Sequence, residues 1–168
     1  MIQHTWFECK IRYEKIMENG MQKKVTEPYL VDALSFTEAE ARIIEEMTPF
    51  ISGEFTVSDI KRANYSELFP SDEESADRYF KCKLNFITLD KSGKERTTST
   101  CILVQAADLR DAVKKLDEGM KGTMADYQIA SVSETAIIDV YPYEVENNLD
   151  DSINKSANSP VVRRFISE

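Results

Sequence analysis

The feature that most constrains this chain is an internal repeat with an offset of 73 residues. A fixed period of this kind indicates that one structural unit occurs more than once. The offset superimposes the alternating apolar positions of two segments, pairing Phe7 with Phe80, Cys9 with Cys82, Ile11 with Leu84 and Tyr13 with Phe86. It also pairs Ala39 with Ala112, Ile43 with Leu116 and Met47 with Met120, after which the offset falls to 72. We therefore predict an internal duplication.

Each copy has the pattern of two strands, a helix and a long third strand. In the first copy, the pattern predicts strands over 5–16 and 22–34 joined by an Asn-Gly turn, and a third strand over 54–69. Ser35 or Thr37 is predicted to cap the helix. The second copy predicts strands over 79–90 and 95–106, a helix capped by Asp108, and a third strand over 127–141. Each third strand ends at an aromatic-proline pair and is expected to run parallel to the second.

These elements predict an α+β fold made of two β-β-α-β units, with mostly antiparallel sheet and one helix per repeat packed on it. The predicted boundaries are 1–70 for the first repeat, 71–78 for an acidic linker, 79–143 for the second repeat and 144–168 for a disordered tail. The tail ends in an apolar and basic segment, 161–166, which either frays or docks on the domain or on a partner. Whether the units share one sheet or form two packed sheets is left open.

Composition indicates where in the cell the protein is expected, and it says less about the chemistry of the protein. A hydrophobic content of 42% is enough for a real core, and the chain has neither a long apolar run nor a signal-like N-terminus, so no membrane partner is expected. The three cysteines are odd in number and lie in apolar strand patterns, which favours reduced core thiols and a cytoplasmic location. A net charge of -9 opposes nucleic-acid binding over the whole surface, but not on a local basic face.

The residues that carry enzyme chemistry are scarce. The only histidine is His4, and no CxxC, GxGxxG or P-loop pattern occurs, so we predict no catalytic, cofactor-binding or metal-binding residue and no cofactor. Cys9 and Cys82 alternate with large apolar residues and are predicted to be inert core thiols. Asp32 is predicted to face water or help cap the helix, with a buried general acid or base as the alternative. Glu46 is predicted to lie in solvent.

The alternate positions of the first strand in each copy form the candidate binding face. Its residues are Trp6, Lys10 and Arg12 in one copy and Tyr79, Lys81 and Lys83 in the other. Aromatic and basic side chains on a sheet bind single-stranded nucleic acid by stacking and phosphate neutralisation. The same residues also fit a solvated sheet face, with the aromatic pair covering an edge or a subunit interface.

Three segments carry a resemblance to a known family. They run from Trp6 to Tyr13, from Val31 to Ala41 and from Ala63 to Glu67. Together they resemble an uncharacterised Bacteroidetes family catalogued only as a domain of unknown function, over most of residues 5–143. The resemblance implies a source in the gut or a related anaerobic habitat and carries no activity, cofactor or catalytic residue.

These observations favour a non-catalytic binding or assembly module that acts through protein-protein contacts. Its partner is then another protein or a second copy of the chain. The alternative is binding of single-stranded nucleic acid on the basic, aromatic-tipped sheet face. An enzyme is the third and weakest interpretation, because the chain offers no recognisable catalytic set.

Overall fold

A computed structural model describes residues 5–143, which form eight strands and two helices in two four-stranded sheets. The predicted disordered tail at 144–168 lies outside the described residues. The first sheet has the order β3-β1-β2-β8 and the second the order β4-β6-β5-β7. The elements are β1 (Trp6–Ile16), β2 (Gln22–Asp32), α1 (Phe36–Met47), β3 (Phe55–Ala63), β4 (Glu67–Phe69), β5 (Arg78–Leu89), β6 (Glu95–Ala106), α2 (Leu109–Gly119), β7 (Asp126–Glu134) and β8 (Val140–Tyr141). The predicted α+β class is confirmed.

The first half follows the local signals of its sequence. Gly20 takes the positive φ, 81°, that the turn between β1 and β2 requires. Ser35 caps α1, because its hydroxyl accepts a hydrogen bond from the Glu38 amide at 3.1 Å. The helix packs on the sheet over a core that includes Phe7, Cys9, Ile11, Ile43 and Met47. The predicted cap and apolar face are therefore confirmed.

The second half repeats this arrangement residue for residue. Asp108 caps α2 by accepting a hydrogen bond from the Asp111 amide at 2.8 Å. The bulge in the β1–β3 pairing falls between Lys10 and Ile11, and the one in the β5–β7 pairing falls between Lys83 and Leu84. Matched registers of this kind are what the predicted duplication requires. Duplication itself and the repeat boundaries stay predictions.

The long third strand predicted for each copy is wrong, because the structure divides it into two elements. In the first half, β3 pairs antiparallel with β1 and so runs parallel to β2, the predicted direction. The chain then crosses to the other sheet, where β4 pairs parallel with β6. The second half does the same, since β8 pairs parallel with Leu30 and Val31 of β2. The two halves thus exchange their terminal strands.

The exchange has the same hydrogen-bond pattern on both sides. The Ser66 amide donates to the Cys101 carbonyl at 2.8 Å, and the Ile138 amide donates to the Pro28 carbonyl at 2.9 Å. These bonds anchor the start of each exchanged strand on the neighbouring sheet. Backbone pairing of this kind satisfies polar groups that burial would otherwise leave unpaired.

A third core joins the two sheets on the faces opposite the helices. Its buried members are Trp6, Leu30, Tyr79, Leu103, Ile137 and Val140, with Leu68 packed against them. Leu30 and Leu103 each pair with an exchanged strand, through Val140 and Leu68 respectively. Strand exchange therefore supplies part of the apolar contact between the sheets, where burial stabilises by about 25 cal/mol per Å² of apolar surface.

Each helix also holds the chain that follows the exchanged strand. Arg42 of α1 donates hydrogen bonds to the Asp32 and Tyr141 carbonyls, and its guanidinium lies 4.5 Å from the centre of the Tyr143 ring. At the equivalent position of α2, the Lys115 ammonium lies 3.0 Å from a Glu73 carboxylate oxygen and donates to the Ser71 hydroxyl at 3.0 Å. In each half, a basic side chain of the helix thus holds the chain that follows the exchanged strand.

Candidate binding surfaces

The four basic residues of the predicted binding face lie on two different sheets. Lys10 and Arg12 are on β1, and Lys81 and Lys83 are on β5. Arg12 and both β5 lysines are exposed, and Lys10 is half-buried. Within residues 5–143 none of the four has an ion-pair partner, whereas Lys61 on β3 pairs with Glu8 at 3.3 Å. The four charges are thus available to an anion.

The two aromatic residues of that face occupy the core between the sheets. Trp6 is 1% exposed and Tyr79 is 6% exposed. The Tyr79 hydroxyl lies 3.3 Å from an Asp139 carboxylate oxygen, to which it donates. The sequence pattern placed both residues on the face opposite the helices, which is where they lie, but that end of each sheet is covered by the other. Neither ring can stack on a base.

The matched cysteines are core residues, as predicted. Cys9 and Cys82 are fully buried among apolar side chains, and Cys101 is half-buried. Burial raises the pKa of the Cys9 thiol to about 12 and that of the Cys82 thiol to about 11. Thiols with such pKa values are protonated at neutral pH and are poor nucleophiles.

Two carboxylates are buried although the sequence pattern favoured solvent for Glu46 and, with burial as the alternative, for Asp32. Asp32 is 3% exposed rather than solvated, and one of its carboxylate oxygens accepts a hydrogen bond from the Thr5 amide at 3.1 Å. Glu46 is 5% exposed, although its neighbour Glu45 is in solvent as predicted. A buried carboxylate needs interaction partners. Asp32 has further interactions besides the hydrogen bond from Thr5, and Glu46 also has interactions with its surroundings.

A cleft of about 810 Å³ lies at the end of the first half. It lies between the tip of the β1–β2 hairpin and the chain from Phe50 to Thr56 that joins α1 to β3. Its apolar lining comes from Tyr13, Ile16, Phe50, Ile51 and Phe55. Charged residues at its rim are Arg12, Glu14, Lys15, Lys24 and Glu54. Aromatic, apolar and arginine side chains are the composition of protein-binding surfaces.

Several large apolar residues are exposed at this cleft and at the hairpin tip beside it. Ile16 is 68% exposed and Phe50 is 61% exposed. The hairpin tip adds Met17 and Met21, and Met21 is 66% exposed. A contiguous exposed apolar patch on a soluble protein marks an interaction site more often than a single exposed residue does.

A hydrogen-bonded group borders the cleft on the helix side of the sheet. The Tyr13 hydroxyl donates to a Glu27 carboxylate oxygen at 2.6 Å, and the Tyr29 hydroxyl donates to the same oxygen at 3.4 Å. Lys15 pairs with the other Glu27 oxygen at 3.5 Å. Burial and the Glu27 carboxylate raise the pKa of Tyr13 to about 12. Because Tyr13 keeps its proton at neutral pH, this group orders the cleft wall rather than acting as a base.

The second half has different residues at the positions that form the cleft and the hydrogen-bonded group. Phe50 corresponds to Gly122, and Tyr13 and Glu27 correspond to Phe86 and Thr100. The cleft was not predicted, because Phe50 falls in the connection where the repeat offset changes and no periodic pattern covers it. The positions at which the two halves carry different residues, such as Phe50 against Gly122, were the sequence signal that could have indicated the cleft.

Neither a metal-binding group nor a helix that could span a membrane occurs in the described residues. Between residues 5 and 143, no group of three or more His, Cys, Asp or Glu side chains is placed to hold a metal ion. Nor does either described helix have the length and hydropathy to span a membrane.

The fold and these surfaces define a small α+β protein whose two similar halves exchange terminal strands. The chain belongs to the family described as Domain of unknown function (DUF4494), whose model matches residues 5–143. No curated protein matches the chain. Membership of a family of unknown function is thus confirmed, while the Bacteroidetes source and the cytoplasmic location stay predictions.

Proposed function

We propose that this protein is a non-catalytic binding or assembly module that recognises another protein through the cleft of its first half. The observation that carries the proposal is the exposed apolar lining of the cleft, in particular Ile16 at 68% exposure beside Phe50. Apolar anchors that fill such a pocket supply most of the energy of a protein-protein contact. The mixed charges at the rim then select the partner's orientation.

The chain offers a matched control for testing this cleft. Ile16 and Leu89 occupy equivalent hairpin positions in the two halves, and they are 68% and 70% exposed. A tagged protein carrying Ile16→Asp, and another carrying Leu89→Asp, are compared with wild type in affinity capture from the source organism after nuclease treatment. Capture of a discrete protein by wild type and Leu89→Asp, with at least a tenfold loss for Ile16→Asp, is the expected result. Equal capture by all three proteins would refute a role for the cleft.

Nucleic-acid binding is the second candidate, and the unpaired charges of Lys10, Arg12, Lys81 and Lys83 favour it. With both aromatic residues buried, affinity must come from phosphate neutralisation rather than base stacking. Four phosphate contacts on a single strand give a slope of about -3 in log K against log salt. Fluorescence anisotropy with a labelled oligothymidine measures this slope, and replacement of all four residues by Gln should abolish binding. A salt-independent or absent signal for the wild-type protein would exclude this function.

A further inference from the structure

The solvent faces of the two helices differ in charge at matched positions. The exposed residues of α1 are Phe36, Thr37, Glu40, Ala41, Ile44 and Glu45. Of these, Thr37, Ala41 and Ile44 lie at spacings of four and three on one side of the helix, and Ile44 is 40% exposed. The corresponding residues of α2 are Arg110, Lys114 and Asp117, all exposed. A charged outer face like that of α2 is ordinary for a helix packed on a sheet. At the same positions, α1 has the uncharged residues Thr37, Ala41 and Ile44.

Negative charge borders this α1 face. Glu40 and Glu45 are exposed on either side of Ile44, and neither has an ion-pair partner in the described part of the chain. The one basic residue of α1, Arg42, contacts the Tyr141 carbonyl and the Tyr143 ring. An apolar surface between two carboxylates suits an occupant that is itself apolar and basic.

The sequence contains such a segment after the last described residue. In residues 161–166, Val161, Val162, Phe165 and Ile166 are apolar, and Arg163 and Arg164 are basic. The described chain ends at Tyr143, whose ring lies 4.5 Å from the Arg42 guanidinium on the flank of α1. The intervening residues 144–160 reach up to about 55 Å at about 3.3 Å per residue. Residues 161–166 are therefore within reach of all of α1, which is about 18 Å long at 1.5 Å per residue.

We propose that residues 161–166 bind back onto the outer face of α1 of the same molecule. The apolar side chains cover Ile44 and Ala41, and Arg163 and Arg164 pair with Glu40 and Glu45. A short linker raises the effective concentration of the segment to the millimolar range, so modest contacts suffice. The α2 face is not an alternative site, since Arg110 and Lys114 repel the two arginines. This inference goes beyond the proposed function, because it concerns α1 and needs no partner.

The test uses the full chain with a nitroxide label near its end. Ser167→Cys is labelled in a Cys101→Ser background, where Cys9 and Cys82 are buried and do not react. Proton-nitrogen spectra of the labelled protein are expected to lose the amide signals of residues 40–48 and to keep those of 110–121. Glu40→Lys with Glu45→Lys should restore the lost signals. Adding Arg163→Glu and Arg164→Glu to that variant should remove them again, because the charge pairs are re-formed with opposite sign.

Three results would overturn the proposal. The first is broadening that is equal on both helices, and the second is broadening that the Glu40 and Glu45 changes leave unaltered. The third is broadening in a mixture of isotope-labelled protein without nitroxide and unlabelled protein with it, because that places the segment on a second copy. Asp117→Lys with Glu118→Lys on α2 is the matched control and should change nothing. None of these outcomes depends on the Ile16 capture experiment, so either idea can fail alone.

Discussion

Replacing Gly119 by alanine tests whether the exchanged strand β4 is held as tightly as its packing indicates. Gly119 is the last residue of α2, and a Cβ atom built there lies 2.5, 2.7 and 2.9 Å from three ring atoms of Phe69. Separations this short do not occur between carbon atoms in folded proteins. Phe69 ends β4 and belongs to the core beneath α2, so its ring must move for alanine to fit.

Two opposing terms decide the expected magnitude. Added volume in a packed site costs about 1–3 kcal/mol, because side chains are forced away from their preferred rotamers. Alanine gains at most about 1 kcal/mol over glycine from helix propensity, and less at the end of a helix. The net expectation is destabilisation of about 1–2 kcal/mol. For a chain of this size that lowers Tm by about 3–6 °C.

Thermal and urea unfolding of Gly119→Ala, Phe69→Ala and the double variant form the assay. In the Phe69→Ala background the clash is gone, so Gly119→Ala should be neutral or slightly stabilising. The resulting coupling energy should exceed about 1 kcal/mol, as expected for residues in direct contact. A Gly119→Ala protein that melts higher than wild type would refute the reasoning, since it would show that β4 shifts without cost.

Three further predictions follow from single sites. Cys9→Asp buries an unpaired charge in the first core and should lower the free energy of unfolding by at least about 3 kcal/mol. Cys101→Ser, at a half-buried site, should lower it by less than about 1 kcal/mol. An unchanged Tm for Cys9→Asp would contradict the core assignment. Burial raises the pKa of Tyr13 and of Tyr65 to about 12. The contribution of these protonated phenols to the free energy of unfolding is therefore complete below pH about 10 and is lost as pH rises through about 12. Phenolate absorbance during alkaline titration checks these raised pKa values, and titration of all tyrosines near pH 10 would contradict them. Asp108→Ala removes the cap of α2 and should cost about 1 kcal/mol in urea unfolding, with no change expected from Asp77→Ala at an exposed position outside the helices.

The strands and helices of each half were predictable because their signals are local. The alternation through Phe7 and Ile11 and the caps at Ser35 and Asp108 each depend on residues within a few positions of one another. Strand exchange was not predictable in this way. The pairing of Leu30 with Val140 joins residues far apart in sequence, and nothing near either residue specifies the other.

The same limit explains the misplaced side chains. Trp6 and Tyr79 alternate with core residues and so were assigned to the polar face, but the contact between sheets buries that end of each strand. Glu46 is buried where α1 packs against the rest of the protein. Its counterpart in α2 is Gly119, whose missing side chain leaves room for the Phe69 ring. Periodicity predicts which side of an element a residue occupies. It does not predict whether that side is covered by a distant element.

Strand exchange also explains where the two halves are free to differ. Each sheet includes the terminal strand of the other half, so the positions that anchor the exchange must be apolar in both halves. Leu30 and Leu103 are equivalent in this pairing, and so are Leu68 and Val140. The cleft and the outer face of α1 lie outside these contacts, and there the halves diverge in size and charge. A substitution at Ile16 or Ile44 is therefore expected to leave the core between the sheets intact, which makes both positions suitable for testing the proposed contacts. A substitution at Leu30 is expected to disturb both sheets together.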